Sequence, residues 1–181
     1  MAAASGPRAL AGGDVAGFDA VTGRSLRNYP HDRVVNVEHM RLELSIPNMD
    51  EPTIDGREIL TISGLAREVT EFPLDARAMT IKSVSCAGRE TGFAYDGSVL
   101  TIRVLPAVKP GEKADVTIEY ALDDPPDGLL WTPPIAEQPE RTPQIHTQGE
   151  AESNSYWFPC HDFPNERLTT ELVVTVPEGF M

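Results

Sequence analysis

Cysteine is scarce in this chain: Cys86 and Cys160 are the only two among 181 residues, far apart and with no C-x-x-C spacing. Neither a disulfide framework nor a cysteine-rich metal site is indicated, and buried thiols are the expectation. Long apolar runs are missing as well, so no transmembrane segment is expected. Residues 1–8 lack the apolar core of a secretory signal, which makes a cytoplasmic setting the default. Basic residues are outnumbered, with 15 Lys and Arg against 28 Asp and Glu, for a formal net charge of -13. That field repels a phosphate backbone and no Lys/Arg cluster interrupts it, so nucleic acid is not an expected partner. The four histidines, His31, His39, His146 and His161, are followed by Asp32, Met40, Thr147 and Asp162, so no H-E-x-x-H zinc helix is present.

What the chain does have is 16 Pro, 14 Gly and short stretches of alternation. Residues 1–30 are rich in Ala, Gly, Ser and Arg without a sustained period, and read as a mobile or surface-draped extension. Residues 31–181 read as one domain. From Val37 onward, Met40, Leu42, Leu44 and Ile46 alternate with Arg41, Glu43 and Ser45, the period of a half-buried strand. Glu58–Ser63 fits a second strand, and 71–74 a third whose Pro73 demands an edge. Asp96-Gly97, between Phe93/Tyr95 and Leu100/Ile102/Val104, predicts a tight type I′ hairpin. Pro110-Gly111 predicts the next turn, residues 114–120 a further strand, and 168–176 the last one. A proline-bearing loop is expected over residues 133–139. No stretch of ten residues keeps a helical period. The fold class expected is therefore all-β, a sandwich or saddle of antiparallel strands.

Thr147-Gln148-Gly149-Glu150 is followed, after a short spacer, by Phe158-Pro159-Cys160-His161-Asp162-Phe163-Pro164. The two blocks resemble the T-Q-x-E/Q and F-P-C-x-D-x-P sequences that close the N-terminal domain of the zinc aminopeptidases of the aminopeptidase N and leukotriene hydrolase family. Ser153-Asn154-Ser155 departs from the usual Asp-Ala-Arg, and Phe163 stands where Glu is frequent.

The resemblance implies a β-saddle domain that forms one wall of an active-site cleft, facing a catalytic domain of the same protein. It implies that Gln148 and Glu150 bind substrate there. A carboxylate at the closed end of such a cleft pairs with the free α-ammonium of a peptide and fixes which bond is cut. Gln148, with both donors and an acceptor, would line the pocket or orient Glu150. Zinc is expected in the full-length parent and not in this chain, so the chain alone is expected to be inactive. Tyr156, Trp157 and Phe158 read as packed aromatics, beside an exposed apolar and acidic docking face over residues 148–158. Cys160-His161 is a poor nucleophilic dyad, because neighbours in extended chain point to opposite sides. A non-catalytic peptidase-like scaffold is the alternative function, and a free-standing carbohydrate-binding sandwich a third.

Overall fold

The computed structural model describes residues 33–180, so the expected extension over 1–30 lies outside the described residues. The first strand, β1 (Val35–Ser45), buries Val35 and Val37, then Leu42 and Leu44. The inward positions thus switch from odd to even, and a register irregularity between Val37 and His39 absorbs the extra residue. β2 (Thr53–Gly64) begins five residues before the expected Glu58, because Ile54 and Gly56 already share the inward parity of Leu60 and Ile62. β3 (Val69–Asp75), β4 (Met79–Cys86), β5 (Arg89–Glu90) and β6 (Phe93–Tyr95) follow. β7 (Val99–Val108) and β8 (Lys113–Asp123) complete the long strands. β9 (Leu129–Thr132), β10 (Gln144–Thr147) and β11 (Thr169–Thr175) lie beyond the Asp123–Gly128 break. The one helical element among the described residues is a 3-10 turn over Asn154–Tyr156.

The strands form a six-stranded sheet ordered β11-β1-β2-β8-β4-β5, a three-stranded sheet β3-β7-β6, and the pair β10-β9. The all-β expectation holds, with one correction to its antiparallel character: β11 runs parallel to β1, Leu172 beside Leu42 and Val174 beside Leu44. No hairpin ties these two strands, so direction is free, and parity sets the register by bringing apolar positions together. Pro73 does lie on an edge, since β3 flanks the smaller sheet. The proline loop is bracketed by the unexpected pair β9–β10, in which Trp131 opposes Ile145.

Both anticipated turns are present, one shifted by a residue. Gly97 has φ 94° while Asp96 does not enter the left-handed region. Asp96 instead accepts from the backbone N–H of Ser98 (2.8 Å) and Val99 (2.7 Å) through its carboxylate, so Gly97-Ser98 sits at the tip. At Pro110-Gly111, Gly111 has φ 78° and Glu112 N donates to Lys109 O at 3.0 Å. That turn carries the chain from the smaller sheet to the larger.

One face of the six-stranded sheet is charged and solvated, with Arg41 and Arg57 both bound to Glu43 at 2.7 and 2.9 Å, and Lys82 bound to Asp55. The other face packs Leu42, Ile62, Val116 and Ile118 into one core with Phe72, Leu100 and Ile102 of the smaller sheet. Tyr120 lies fully buried at its centre, over Gly56. A Cβ at Gly56 would stand 2.2–2.6 Å from the Tyr120 ring atoms. Gly56→Ala should therefore cost about 1–3 kcal/mol through overpacking. Urea titration of the single and double variants checks this: in a Tyr120→Ala background most of the cost should vanish, and an unchanged cost would show that the ring is not what excludes the methyl.

Candidate functional site

The segment from 148 to 162 lies across the apolar face and is fixed by its backbone. Gln148 N donates to Gly128 O at 2.9 Å, and Ser153 N to Gly149 O at 3.1 Å. Arg77 N donates to Ser155 O at 2.7 Å, and Asp75 and Cys160 exchange backbone bonds of 2.7 and 2.9 Å. Tyr120 adds its hydroxyl, which donates to Trp157 O at 2.9 Å.

Three carboxylates complete this frame. Asp127 accepts from Gly128 N and from the Ser153 hydroxyl, both at 2.7 Å. Asp162 accepts from Ser155 N at 3.0 Å, and Asp75 accepts from Asp162 N at 3.1 Å. Gly128, with φ 75°, allows the closest approach: a Cβ there would fall 2.1 Å from Ser153 O. The aromatic run packs as expected, with Trp157 edge-on to Phe158 at 4.4 Å and the Arg77 guanidinium 5.4 Å above the Tyr156 ring.

Between this segment and the sheet opens a cleft of about 1080 Å³. Gln148, Glu150 and Glu152 line one side; Met40, Leu60 and Leu168 line the other. Gln148 and Glu150 are both exposed, and among the described residues neither side chain engages a hydrogen-bond or ion-pair partner. The docking face expected over 148–158 is acidic but not apolar, since Phe158 is buried and Trp157 half-buried. The exposed apolar side chains of this region are instead Phe163, Leu168, Leu172 and Val174.

Cys160 and His161 also border the cleft. Burial, and then the neighbouring Asp162, Glu58 and Asp75 carboxyls, push the Cys160 thiol well above its ordinary value. A nucleophilic thiol needs the opposite shift. His161 faces Asn165, with Nε2 3.2 Å from its side-chain oxygen. Among the described residues no group of three His, Cys, Asp or Glu side chains is placed to hold a metal ion. No helix among them is long and apolar enough to cross a membrane.

The chain is thus an all-β domain of two larger sheets and a short strand pair, with a clamped loop bordering a cleft. Residues 36–181 match the Peptidase M1 N-terminal domain, and the chain belongs to that family. It is 25% identical over 152 residues to leukotriene A-4 hydrolase of Xenopus laevis, covering 81% of this chain and 25% of that protein. It is 28% identical over 88 residues to human aminopeptidase B, covering 49% of this chain and 13% of that one. The chain thus spans a quarter or less of the length of these relatives. Among solved structures, an M1 zinc metallopeptidase from Deinococcus radiodurans superposes with a TM-score of 0.67 at 20% identity, over 82% of this chain and 34% of that one. Leukotriene A4 hydrolase from Saccharomyces cerevisiae gives 0.66 at 20% identity, over 82% and 24%.

One residue of the cleft escapes a reading by motif. Glu58 stands between Leu42 and Ile118 on the apolar face, is fully buried, and neither carboxyl oxygen has a partner. Burial raises its pKa well above the usual carboxylate value. The folded chain then keeps a proton that the unfolded chain releases, so stability falls as pH rises from the ordinary Glu range toward that raised value. Replacing an unpaired buried acceptor by an apolar group of similar length removes the penalty, and Glu58→Met should stabilise the fold near neutral pH by about 1–3 kcal/mol. Denaturant midpoints collected across the acid-to-neutral range should show a flatter pH profile for the variant; an equal slope in both proteins would assign the pH dependence elsewhere.

Proposed function

We propose that this chain is the substrate-facing β-domain of a zinc aminopeptidase, with Glu150 as the anchor for the α-ammonium of a peptide and Gln148 beside it. The observation that carries this is a pairing of opposites on one short stretch: a backbone tied down on both sides of Glu150, and a carboxylate that none of those ties uses. A fixed, unengaged carboxylate bordering a cleft can form a charge-assisted hydrogen bond without first breaking another. The metal and its ligands belong, in this reading, to a catalytic domain outside these 181 residues, with which this domain shares the cleft.

The test is Glu150→Ala in a polypeptide that joins this domain to its catalytic domain. Loss of a charge-assisted contact of about 1.5–3 kcal/mol should lower kcat/KM about tenfold to a few hundredfold. The gap between free and amino-blocked peptides should shrink, because blocked peptides never make that contact. Glu137→Ala, in the exposed loop between β9 and β10, is the control and should change neither. Wild-type kinetics and full discrimination in Glu150→Ala would return Glu150 to an ordinary solvated carboxylate. A catalytic region with a degenerate H-E-x-x-H would favour the alternative, a scaffold that presents the same surface without hydrolysis.

A further inference from the structure

Tyr120 and Glu58 share the apolar face of the main sheet. In the β2–β8 register Gly56 pairs with Tyr120 and Glu58 with Ile118, so Glu58 is the next inward position along β2 from the glycine. Those two positions are about 7 Å apart, the advance of two residues in a strand. The Tyr120 ring leans across to β2, since a Cβ on Gly56 would stand 2.2 Å from Cζ, the ring atom that carries the hydroxyl. The phenol tip is therefore over β2, diagonal to Glu58, a spacing that aromatic and long side chains bridge. The hydroxyl donates to Trp157 O at 2.9 Å, while both Glu58 oxygens are enclosed and without a partner.

Among the described residues little else near Glu58 can donate. Leu42 of β1 and Ile118 of β8 stand directly opposite it, and Gly56 and Leu60 are its inward neighbours on β2. From the clamped loop comes Cys160, whose thiol is coupled electrostatically to Asp162, Glu58, Asp75 and Arg77. A thiol is a weak donor, and carboxylates only accept. The Arg77 guanidinium sits over the Tyr156 ring, and His161 faces Asn165. Glu150, Glu152 and Glu166 line the same cleft and bring negative charge rather than donors. Burial first, and then the Glu58 carboxyl, lift the Tyr120 hydroxyl well above the ordinary tyrosine value, so it keeps its proton near neutral pH.

We propose that Glu58 and Trp157 O compete for the Tyr120 hydroxyl, so that ionisation of Glu58 draws this hydrogen bond from the loop to the sheet and slackens the segment from 148 to 162. A hydroxyl has one proton to donate, which makes the two bonds mutually exclusive. While Glu58 is protonated its oxygens are weak acceptors and the carbonyl keeps the bond. A carboxylate is the stronger acceptor, and an enclosed one has no water to turn to. Glu58 loses its own proton to solvent; Tyr120 keeps its proton and only turns. The release is felt beyond Trp157, because Trp157 N and Phe158 N both donate to Asn154 O, and Ser153 N to Gly149 O, in the turn that follows Gln148 and Glu150. Burial sets Glu58 above the usual carboxylate range, so the loop is held at acidic pH and released as pH rises through that raised value. The switch does not depend on what Glu150 binds.

Nuclear magnetic resonance on the 181-residue chain tests this at one atom. Trp-Phe occurs once in the sequence, so carbon-13 at the tryptophan carbonyl with nitrogen-15 in phenylalanine isolates the Trp157 carbonyl. In wild type its shift should move with one midpoint above the ordinary Glu range. Amide exchange at Ser153 and Trp157, corrected for its intrinsic rise with pH, should quicken about two- to tenfold across that midpoint, the effect of one hydrogen bond. Glu58→Met cannot ionise and should hold the carbonyl at its low-pH position throughout. Tyr120→Phe should leave it unbonded and fixed at every pH, whereas Glu150→Ala should titrate like wild type. A wild-type carbonyl that stays still up to the onset of unfolding would overturn the proposal. So would a movement that survives in Glu58→Met, since it would belong to His161 or another group of the cleft. Should Tyr120→Phe fail to fold, wild type and Glu58→Met decide between these outcomes.

Discussion

The contact on which the rest depends is Tyr120 seated in the space that Gly56 leaves open. Its ring occupies the centre of the apolar face of the main sheet, and its hydroxyl reaches out of the core to hold Trp157 O at 2.9 Å. The core and the cleft are thereby coupled through a single side chain. An aromatic ring with one polar tip suits this place, since the ring fills the core and the hydroxyl finds a carbonyl of the cleft loop as its partner. Glycine opposite is the geometrical condition for it.

Around that tie the acidic residues divide into distinct roles. Asp75, Asp127 and Asp162 accept bonds from backbone N–H groups and order the loop that borders the cleft. Glu43 and Glu171 balance arginines on the solvated face, where exposed pairs contribute little to stability. Glu58 stands apart, since it is enclosed with no partner and so costs stability wherever it must ionise. Gln148 and Glu150 stand apart in the opposite sense, as exposed side chains on a backbone that the fixed acids hold in place.

Much of the fold is legible in the sequence because side-chain parity is. Leu60 and Ile62 assign a face to β2, and the same count places Glu58 on that face, though no motif draws attention to it. The parity switch between Val37 and Met40 already implies an inserted residue. What parity does not carry is the partner of each strand: the parallel placement of β11 against β1 joins residues such as His39 and Thr169 that no local pattern connects. β9 and β10 escape notice for another reason, being four residues each and split by prolines, too short to show a period. At the hairpin, Asp-Gly signals the turn but not its phase, because the Asp96 carboxylate caps Ser98 and Val99 and so takes the first turn position instead of the second. The two sequence blocks of the site are legible as a resemblance; that their backbones are locked by Asp127, Gly128 and Tyr120, distant in sequence, is not.

The separation of fixed backbone from free side chain has a consequence for how the site can be interrogated. Asp127 and Asp162 cannot be replaced without releasing buried backbone donors, so their loss perturbs fold and site together. Among the described residues the side chains of Glu150 and Gln148 have no hydrogen-bond or ion-pair partner, and being exposed they leave no cavity when shortened. A functional effect of changing them therefore reports on the cleft itself rather than on the stability of the domain. The same logic places Glu58 on the other side of the division: it lines the cleft, yet its burial makes any change there a change in stability first.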